Sequence, residues 1–370
     1  MKKIVLFEDV FGDFGGIEKV IITIISNLYT KYEFELVVNS MISNEYLVEL
    51  NKYNVKVKIL QDTYIRNPIK RHLIGLKKFK KYLKSNPLID VIHFNISNSI
   101  DLIYVAIAKK FKIKKRIAHS HNSSATSKFK IIMHNLIKPF VMYSPTDYLA
   151  CSKEAAIWLF PKKIVLNKKY VFVPNSVDYN LFSYKENYRN EIRNKFNISD
   201  DEFLYGHIGR FNAQKNQIFL IDIFNKILKI NSKSKLMLVG VGETKAEIIN
   251  KCKEYNIENN VLFIEPTKEI NKFYSAFDIF LFPSLYEGLG LVLVEAQCAS
   301  LKIIMSSNIP NEVIFVPKLI TKVSLSNLDL WVKEAANYKN INKNDVYDLY
   351  IKSPFSIKNL VKNIELIYSK

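Results

Sequence analysis

The feature that most restricts the fold is a short apolar run cut off by proline and followed at once by a helix pattern. Ile279 to Phe282 reads as a buried strand stopped by Pro283, Tyr286 to Gly290 as a loop, and Leu291 to Ala299 as the helix it opens. The same order recurs. Lys3 to Phe7 is a buried-strand run, followed by a glycine loop and then by Ile17, Val20, Ile21, Ile24 and Leu28 at helical spacing. Phe34–Val38, Val55–Leu60, the stretch from Leu204, and Lys235–Val239 read as further strands. Strands alternating with helices imply an α/β chain built on parallel sheets.

At 370 residues the chain is long enough for two domains, each with its own core. Hydrophobic content of 48% excludes a disordered chain, and no apolar run reaches the ~18 residues that span a bilayer. Glu8 and Asp9 interrupt the first apolar segment too early for a signal peptide. Three scattered cysteines, Cys151, Cys252 and Cys298, fit reduced thiols in the cytoplasm, and no CxxC or HExxH spacing marks a metal. The net charge of +19 points to anionic partners, although lysine is abundant throughout.

Several residues carry chemistry. Gly288 and Gly290 clear the way to the unpaired N–H groups of a helix start, which favours anions. Glu287 precedes that loop and Glu295 follows inside an apolar run, where a carboxylate needs donors such as the hydroxyls of a sugar or ribose. Arg210 and Lys215 stand on a loop past a strand end, placed to neutralise a diphosphate. Gly15, Gly16 and Glu18 open the first helix, and the absence of GxGxxG argues against a nicotinamide or flavin site of that type. His93 and His119 lie at the ends of two strand runs, and His121 shares a face with His119 if the strand persists that far. Two histidines without an evident third ligand are weak evidence for metal, and a core role satisfied by backbone stands open for His93 and His119.

Glu287 and Glu295, seven residues apart after a Phe-Pro-Ser strand end, resemble the E-x7-E signature of retaining, group 1 type glycosyltransferases of the GT-B fold. Gly15-Gly16-Ile-Glu18 resembles that family's Gly-Gly-x-Glu loop, Gly209-Arg210 with Lys215-Asn216 its Gly-Arg-x4-Lys-Asn motif, and Val173-Pro-Asn-Ser-Val-Asp178 its Val-Pro-Asn-Gly-Val-Asp passage. The sequence departs from the pattern at Ser176, at Glu265 and at Ser300-Leu-Lys, where relatives commonly carry glycine, glycine and Gly-x-Pro. The resemblance implies two Rossmann-like, doubly wound domains facing a cleft, 1–183 and 184–352, with a C-terminal helix in 353–370 crossing back to the first. It also implies transfer of a sugar from a nucleotide sugar, UDP-linked by preference, with retained configuration. Arg210, Lys215 and the Gly288-Leu289-Gly290 loop would hold the diphosphate, Glu295 the ribose and Glu287 the donor sugar. Gly15 and Gly16 would lie across from the phosphates, His121 at the reacting centre, and His93, His119 and Glu18 on the acceptor side. No metal or other cofactor is expected.

The resemblance is closest to enzymes of capsule and exopolysaccharide assembly, which act on lipid-linked or oligosaccharide acceptors. A nucleotide-sugar epimerase of the same fold is the alternative. A nucleic-acid-binding protein is a remote one, because no recognition motif accompanies the charge. Arg66 to Lys84 carries an aliphatic stripe, Ile69, Leu73, Leu76, Phe79 and Leu83, among basic residues. It suits an anionic membrane surface as well as a solvated helix packed on the sheet, so the expected location is cytoplasmic, peripheral at the inner face of the membrane.

Overall fold

The computed structural model describes residues 1–12, 16–123, 128–336 and 346–370. They form two compact units, Met1–Ser176 with Ile357–Lys370, and Val177–Ser356. The first holds a seven-stranded sheet of β1 (Lys3–Phe11), β2 (Glu33–Met41), β3 (Lys56–Gln61), β4 (Val91–Ile96), β5 (Lys115–Ser120), β6 (Asp147–Ala150) and β7 (Val171–Phe172). Their order is β3-β2-β1-β4-β5-β6-β7, and every pairing is parallel. Helices cover both faces. Phe79, Tyr82 and Leu83 of helix Pro68–Ser85 pack on one face with Leu102, Tyr104 and Val105 of helix Leu102–Lys110 and Val141 of helix Lys128–Val141. Helices Gly16–Leu28 and Ile357–Ser369 cover the other. Burial on both faces is why β4 is buried from end to end and why these strands read as continuous apolar runs.

The second unit holds β8 (Phe203–Ile208), β9 (Ser234–Val239), β10 (Val261–Ile264), β11 (Ile279–Phe282), β12 (Lys302–Ser306) and β13 (Ile320–Val323), in the order β10-β9-β8-β11-β12-β13, again all parallel. The strand order reverses beside β8, the place where open α/β sheets bind ligands beyond their carboxyl ends. Residues 177–183 belong to this unit rather than to the first domain that the sequence assigned them to. The Val177 N–H donates to the Phe355 carbonyl at 3.0 Å, and Phe182 packs on Tyr274 with ring centroids 5.7 Å apart. Helix Glu186–Lys195 likewise packs into the second unit, with Arg189 and Arg193 both bonded to Asp278. Among the described residues no helix is long and apolar enough to cross a membrane.

The helix Ile357–Ser369 is tied into the first unit by a buried chain of polar side chains. The Tyr368 hydroxyl donates to His93 Nδ1 at 2.7 Å, His93 Nε2–H to His119 Nδ1 at 3.3 Å, and His119 Nε2–H to the Val173 carbonyl at 3.0 Å. The carbonyl accepts only, so it fixes each tautomer back along the chain. Both rings are wholly buried, which resolves the open reading of His93 and His119: the structure uses them as core groups, with no atom left to face an acceptor. Burial pushes the His119 imidazolium down to about 4, and burial with the neighbouring His119 holds His93 well below the ordinary value. A folded pKa below the unfolded 6.5 means that the unfolded chain takes up the proton more readily. This contribution to stability is whole above about pH 6.5 and is lost as pH falls toward 4. Buried Glu8 and Asp101, both raised, act in the opposite sense, so the test is a difference. The stability cost of His119→Asn, measured by urea unfolding, should be smaller at pH 5.0 than at pH 7.5 by about 2 kcal/mol. An equal cost at both values would show that His119 is protonated in the folded protein.

Candidate functional site

The carboxyl edge of the second sheet gathers most of the residues singled out in the sequence. The Gly209 N–H donates to Val239 O at 3.0 Å and the Phe211 N–H to Val241 O at 2.8 Å, so the loops after β8 and β9 lie flat against each other. Such contact requires glycine at 240. Its φ is +152°, and a Cβ there would stand 2.1 Å from the Gly209 carbonyl oxygen. Past these loops opens a hollow of ≈ 520 Å³, walled by Ile208, Val239, Val241, Pro266 and Ile270, with Arg210 at its rim. Glu265 turns away to an ion pair with Lys245 at 2.5 Å, leaving Pro266 and Thr267 to line the hollow.

Arg210 is 72% exposed and bonded only loosely to Glu243, at 3.3 Å. Its backbone is held firmly. Gln217 Nε2 donates both to the Arg210 carbonyl, at 3.0 Å, and to His207 Nε2, at 3.2 Å, while His207 Nδ1–H donates to Leu281 O at 2.9 Å. Burial pushes His207 down to about 4, so it stays neutral and keeps these roles. A fixed backbone under an exposed, loosely paired guanidinium suits a residue that closes on an anion.

Lys215 follows in the loop after β8. Asn212 Oδ1 accepts its N–H at 3.0 Å, and Asn216 takes a left-handed turn (φ 56°) into helix Gln217–Ile230. The ammonium lies 2.8 Å from Glu287 Oε1 and 4.9 Å from the centre of the Phe282 ring, and the two charged side chains are only 15% and 7% exposed. Two further bonds lace this loop to the one after β11, Leu285 N–H to Gln214 O at 2.8 Å and Gln214 Nε2 to Tyr286 O at 2.9 Å. Gly290, left-handed at φ +81°, starts helix Leu291–Cys298, with Gly288 and Leu289 leading into it. Glu295 lies in the second turn of that helix and accepts from the Tyr274 hydroxyl at 2.5 Å. Tyr274 belongs to helix Ile270–Ala276 and had no motif to reveal it. Ser300 sits at φ 55°, so a serine bears here the left-handed turn that glycine takes freely.

In the first unit His121 follows β5, half-buried. Its Nε2–H donates to Asn95 Oδ1 at 3.0 Å, Asn95 being oriented by its own bond to Phe7 O, and its Nδ1 makes no hydrogen bond. Burial, then His119 and His93, hold its pKa well below the ordinary value. His121 therefore holds its second nitrogen beside the Asn175 side chain, which acts to raise its pKa against burial although neither Nδ1 nor Asn175 Oδ1 makes a hydrogen bond of regular geometry. Asn175 is a second residue that the motifs passed over, although it stands in the Pro-Asn passage. Its Nδ2 donates to Gly16 O at 3.2 Å. Glu18 is buried and accepts the Gly12 N–H at 3.2 Å, which fastens the start of the glycine loop. Gly15 lies outside the described residues.

Comparison with known proteins agrees with this geometry. The model of the family described as glycosyl transferases group 1 matches residues 188–322, the span that contains Arg210, Lys215, Glu287 and Glu295. A protein assigned as the glycosyltransferase EpsF in Bacillus subtilis (strain 168) is 29% identical, over 71% of this chain and 70% of its own. The amylovoran biosynthesis glycosyltransferase AmsD of Erwinia amylovora is 26% identical, over 80% and 78%. The crystal structure of Anabaena Alr3699/HepE in complex with UDP superposes with a TM-score of 0.77 across the whole of both chains, at 16% identity. Residues 188–322 are thus a group 1 glycosyltransferase domain, and the protein that carries them is a glycosyltransferase of the GT-B fold.

Proposed function

We propose that the chain transfers a sugar from a UDP-sugar to a lipid-linked or oligosaccharide acceptor, with retention at the anomeric carbon, during exopolysaccharide or capsule assembly. The observation that carries this reading is the hollow rimmed by Arg210 together with the buried Lys215–Glu287 pair. Its apolar walls suit a flat base. Arg210 and Lys215 suit a diphosphate, Glu295 a ribose diol, and Glu287 the hydroxyls of the donor sugar. The UDP-bound neighbour and the relative named for amylovoran biosynthesis favour the same donor and the same kind of product.

In the proposed reaction the bond from the anomeric carbon to the β-phosphate oxygen breaks. A bond to the acceptor oxygen forms on the same face, and the acceptor's proton passes to the leaving phosphate. Negative charge grows on the diphosphate, where Arg210, Lys215 and the N–H groups opening helix Leu291–Cys298 would stabilise it. Two cations, Lys215 fixed and Arg210 able to move, can serve there in place of a metal ion. His121, neutral, would orient a hydroxyl through Nδ1. Arg210→Ala should lower turnover by roughly 10²-fold or more with the fold intact. Activity within a few-fold of the parent would remove Arg210 from the site.

The product decides between transfer and epimerisation. NMR should show a new glycosidic bond with the donor's configuration kept, formed at an unchanged initial rate in excess EDTA. An inverted linkage, or an epimerised nucleotide sugar without acceptor, would reject the proposal, and an EDTA loss restored by magnesium or manganese would reject its metal independence.

Peripheral attachment to an anionic membrane is part of the proposal. Helix Pro68–Ser85 turns inward Arg71, His72, Gly75, Phe79, Tyr82 and Leu83; Ile69 and Leu73, which the sequence placed in the apolar stripe, face solvent. Lys70, Lys77, Lys78, Lys80, Lys81 and Lys84 are exposed with them. On the same side of the sheet, helix Lys128–Val141 exposes Ile132, Leu136 and Phe140, one turn apart, the last two 60% and 87% exposed. Each lysine near an anionic leaflet contributes about 1 kcal/mol, and the apolar row adds insertion that salt does not screen. Co-sedimentation with anionic vesicles should weaken when Lys77, Lys78, Lys80 and Lys81 become Gln, and the salt-resistant part should vanish in Leu136→Ser/Phe140→Ser. Equal binding to neutral vesicles, or no change in either variant, would make these ordinary solvated helices.

A further inference from the structure

One group of side chains in the first unit is used by none of the roles above. Asp9 near the end of β1, His72 in helix Pro68–Ser85 and Asp101 at the start of helix Leu102–Lys110 bring one ligand atom each within 4.8 Å of one another. His72 Nε2 stands 3.6 Å from Asp9 Oδ2 and 3.9 Å from Asp101 Oδ1. Asp101 is 3% exposed. Its Oδ2 accepts the Ser97 and Asn98 N–H groups at 3.0 and 3.1 Å, whereas Oδ1, on the side of His72, has no hydrogen-bond partner. An unpaired buried carboxylate oxygen aimed at an imidazole nitrogen is costly as it stands.

We propose that Asp9, His72 and Asp101 form a binding site for a divalent transition ion of the zinc class, with water completing the shell. The donor set of one imidazole and two carboxylates is one that zinc accepts. The 3.6 and 3.9 Å separations need only a small contraction to reach about 3.4 Å, the edge of a tetrahedron with bonds of about 2.0–2.1 Å. The supporting shell is in place. Arg71 donates to Asp9 Oδ2 at 2.8 and 3.2 Å, Asn39 donates to Asp9 Oδ1 at 2.8 Å, and the Tyr104 hydroxyl lies 3.4 Å from His72 Nδ1, able to accept its proton. Arg71 offsets the charge of Asp9, and a divalent ion would supply the partner that Asp101 Oδ1 lacks. Such an ion would pin two helices to β1 and play no part in sugar transfer, so the site stands or falls independently of the proposed reaction.

The test uses the whole chain, stripped with EDTA, exchanged into chelator-free buffer at pH 8 and titrated with Zn²⁺ by calorimetry and with Co²⁺ by visible absorption. One equivalent should bind at micromolar affinity or tighter, and His72→Gln and Asp101→Asn should each weaken it by about 10-fold or more. X-ray absorption of the zinc-loaded parent should show nitrogen and oxygen neighbours without sulfur, a reading that survives if a variant fails to fold. Absence of stoichiometric binding, sulfur from a cysteine in the shell, or parental affinity in both variants would overturn the proposal.

Discussion

The second unit depends on the Lys215–Glu287 ion pair, 2.8 Å long and largely shielded from water. A charged pair taken out of water keeps little net stability for itself, because desolvation offsets the attraction. Its importance lies in what it positions. It joins the loop after β8 to the loop after β11 across the point where the strand order reverses, and the carbonyl and side-chain amide of Gln214 hold both loops in register. Lys215 cannot swing away without stranding a buried carboxylate, so the cation is in place before any anion arrives. Arg210 is the contrary case: its main chain is locked by Gln217 and His207, and its side chain is free to move. The loop after β8 thus carries one fixed cation and, at the rim of the hollow, one exposed one.

Much of this was legible in the sequence, for a physical reason. Parallel strands buried on both faces must be apolar along their length, so Ile279–Phe282 and Lys3–Phe7 declared themselves, and their polar ends marked the sheet edge. Glu287, Arg210 and Lys215 lie on loops past strand ends, and with Glu295 they stood out through the resemblance of their spacing to a family's motifs. Contacts made between distant segments did not. Tyr274 reaches Glu295 from another helix, Asn175 stands beside His121 from the far side of two strands, and Asp9, His72 and Asp101 meet only through the topology. No periodicity links residues drawn from three separate elements.

The unit boundary and the apolar stripe of helix Pro68–Ser85 were misplaced for a related reason. The boundary is set by partners: Val177 bonds to Phe355, and Arg193, buried in helix Glu186–Lys195, bonds to Asp278. In the 68–85 helix the pattern counted aliphatic residues as inward and basic ones as outward. The structure turns Arg71 and His72 in and Ile69 and Leu73 out, because the strand ends beneath the first turn carry carboxylates rather than aliphatic groups. A buried charged helix face is the mark of a buried charged partner.

That reversal gives one helix two separable surfaces. Its inner face, through Arg71 and His72, is held by Asp9 and faces Asp101; its outer face presents lysines with Ile69 and Leu73. The lysines contact solvent, so exchanging them for glutamine alters surface charge with little effect on packing. Arg71 is different. Its guanidinium also donates to the Ile65 carbonyl at 3.1 Å, so removing it would release the chain entering the helix and leave Asp9 buried with one cation fewer. Breaking a buried pair in this way costs about 3–5 kcal/mol, several times the net worth of an exposed lysine pair. Lysine counts along this stretch therefore describe the surface, while the position of the helix on its sheet is governed by the few charges that the count cannot distinguish.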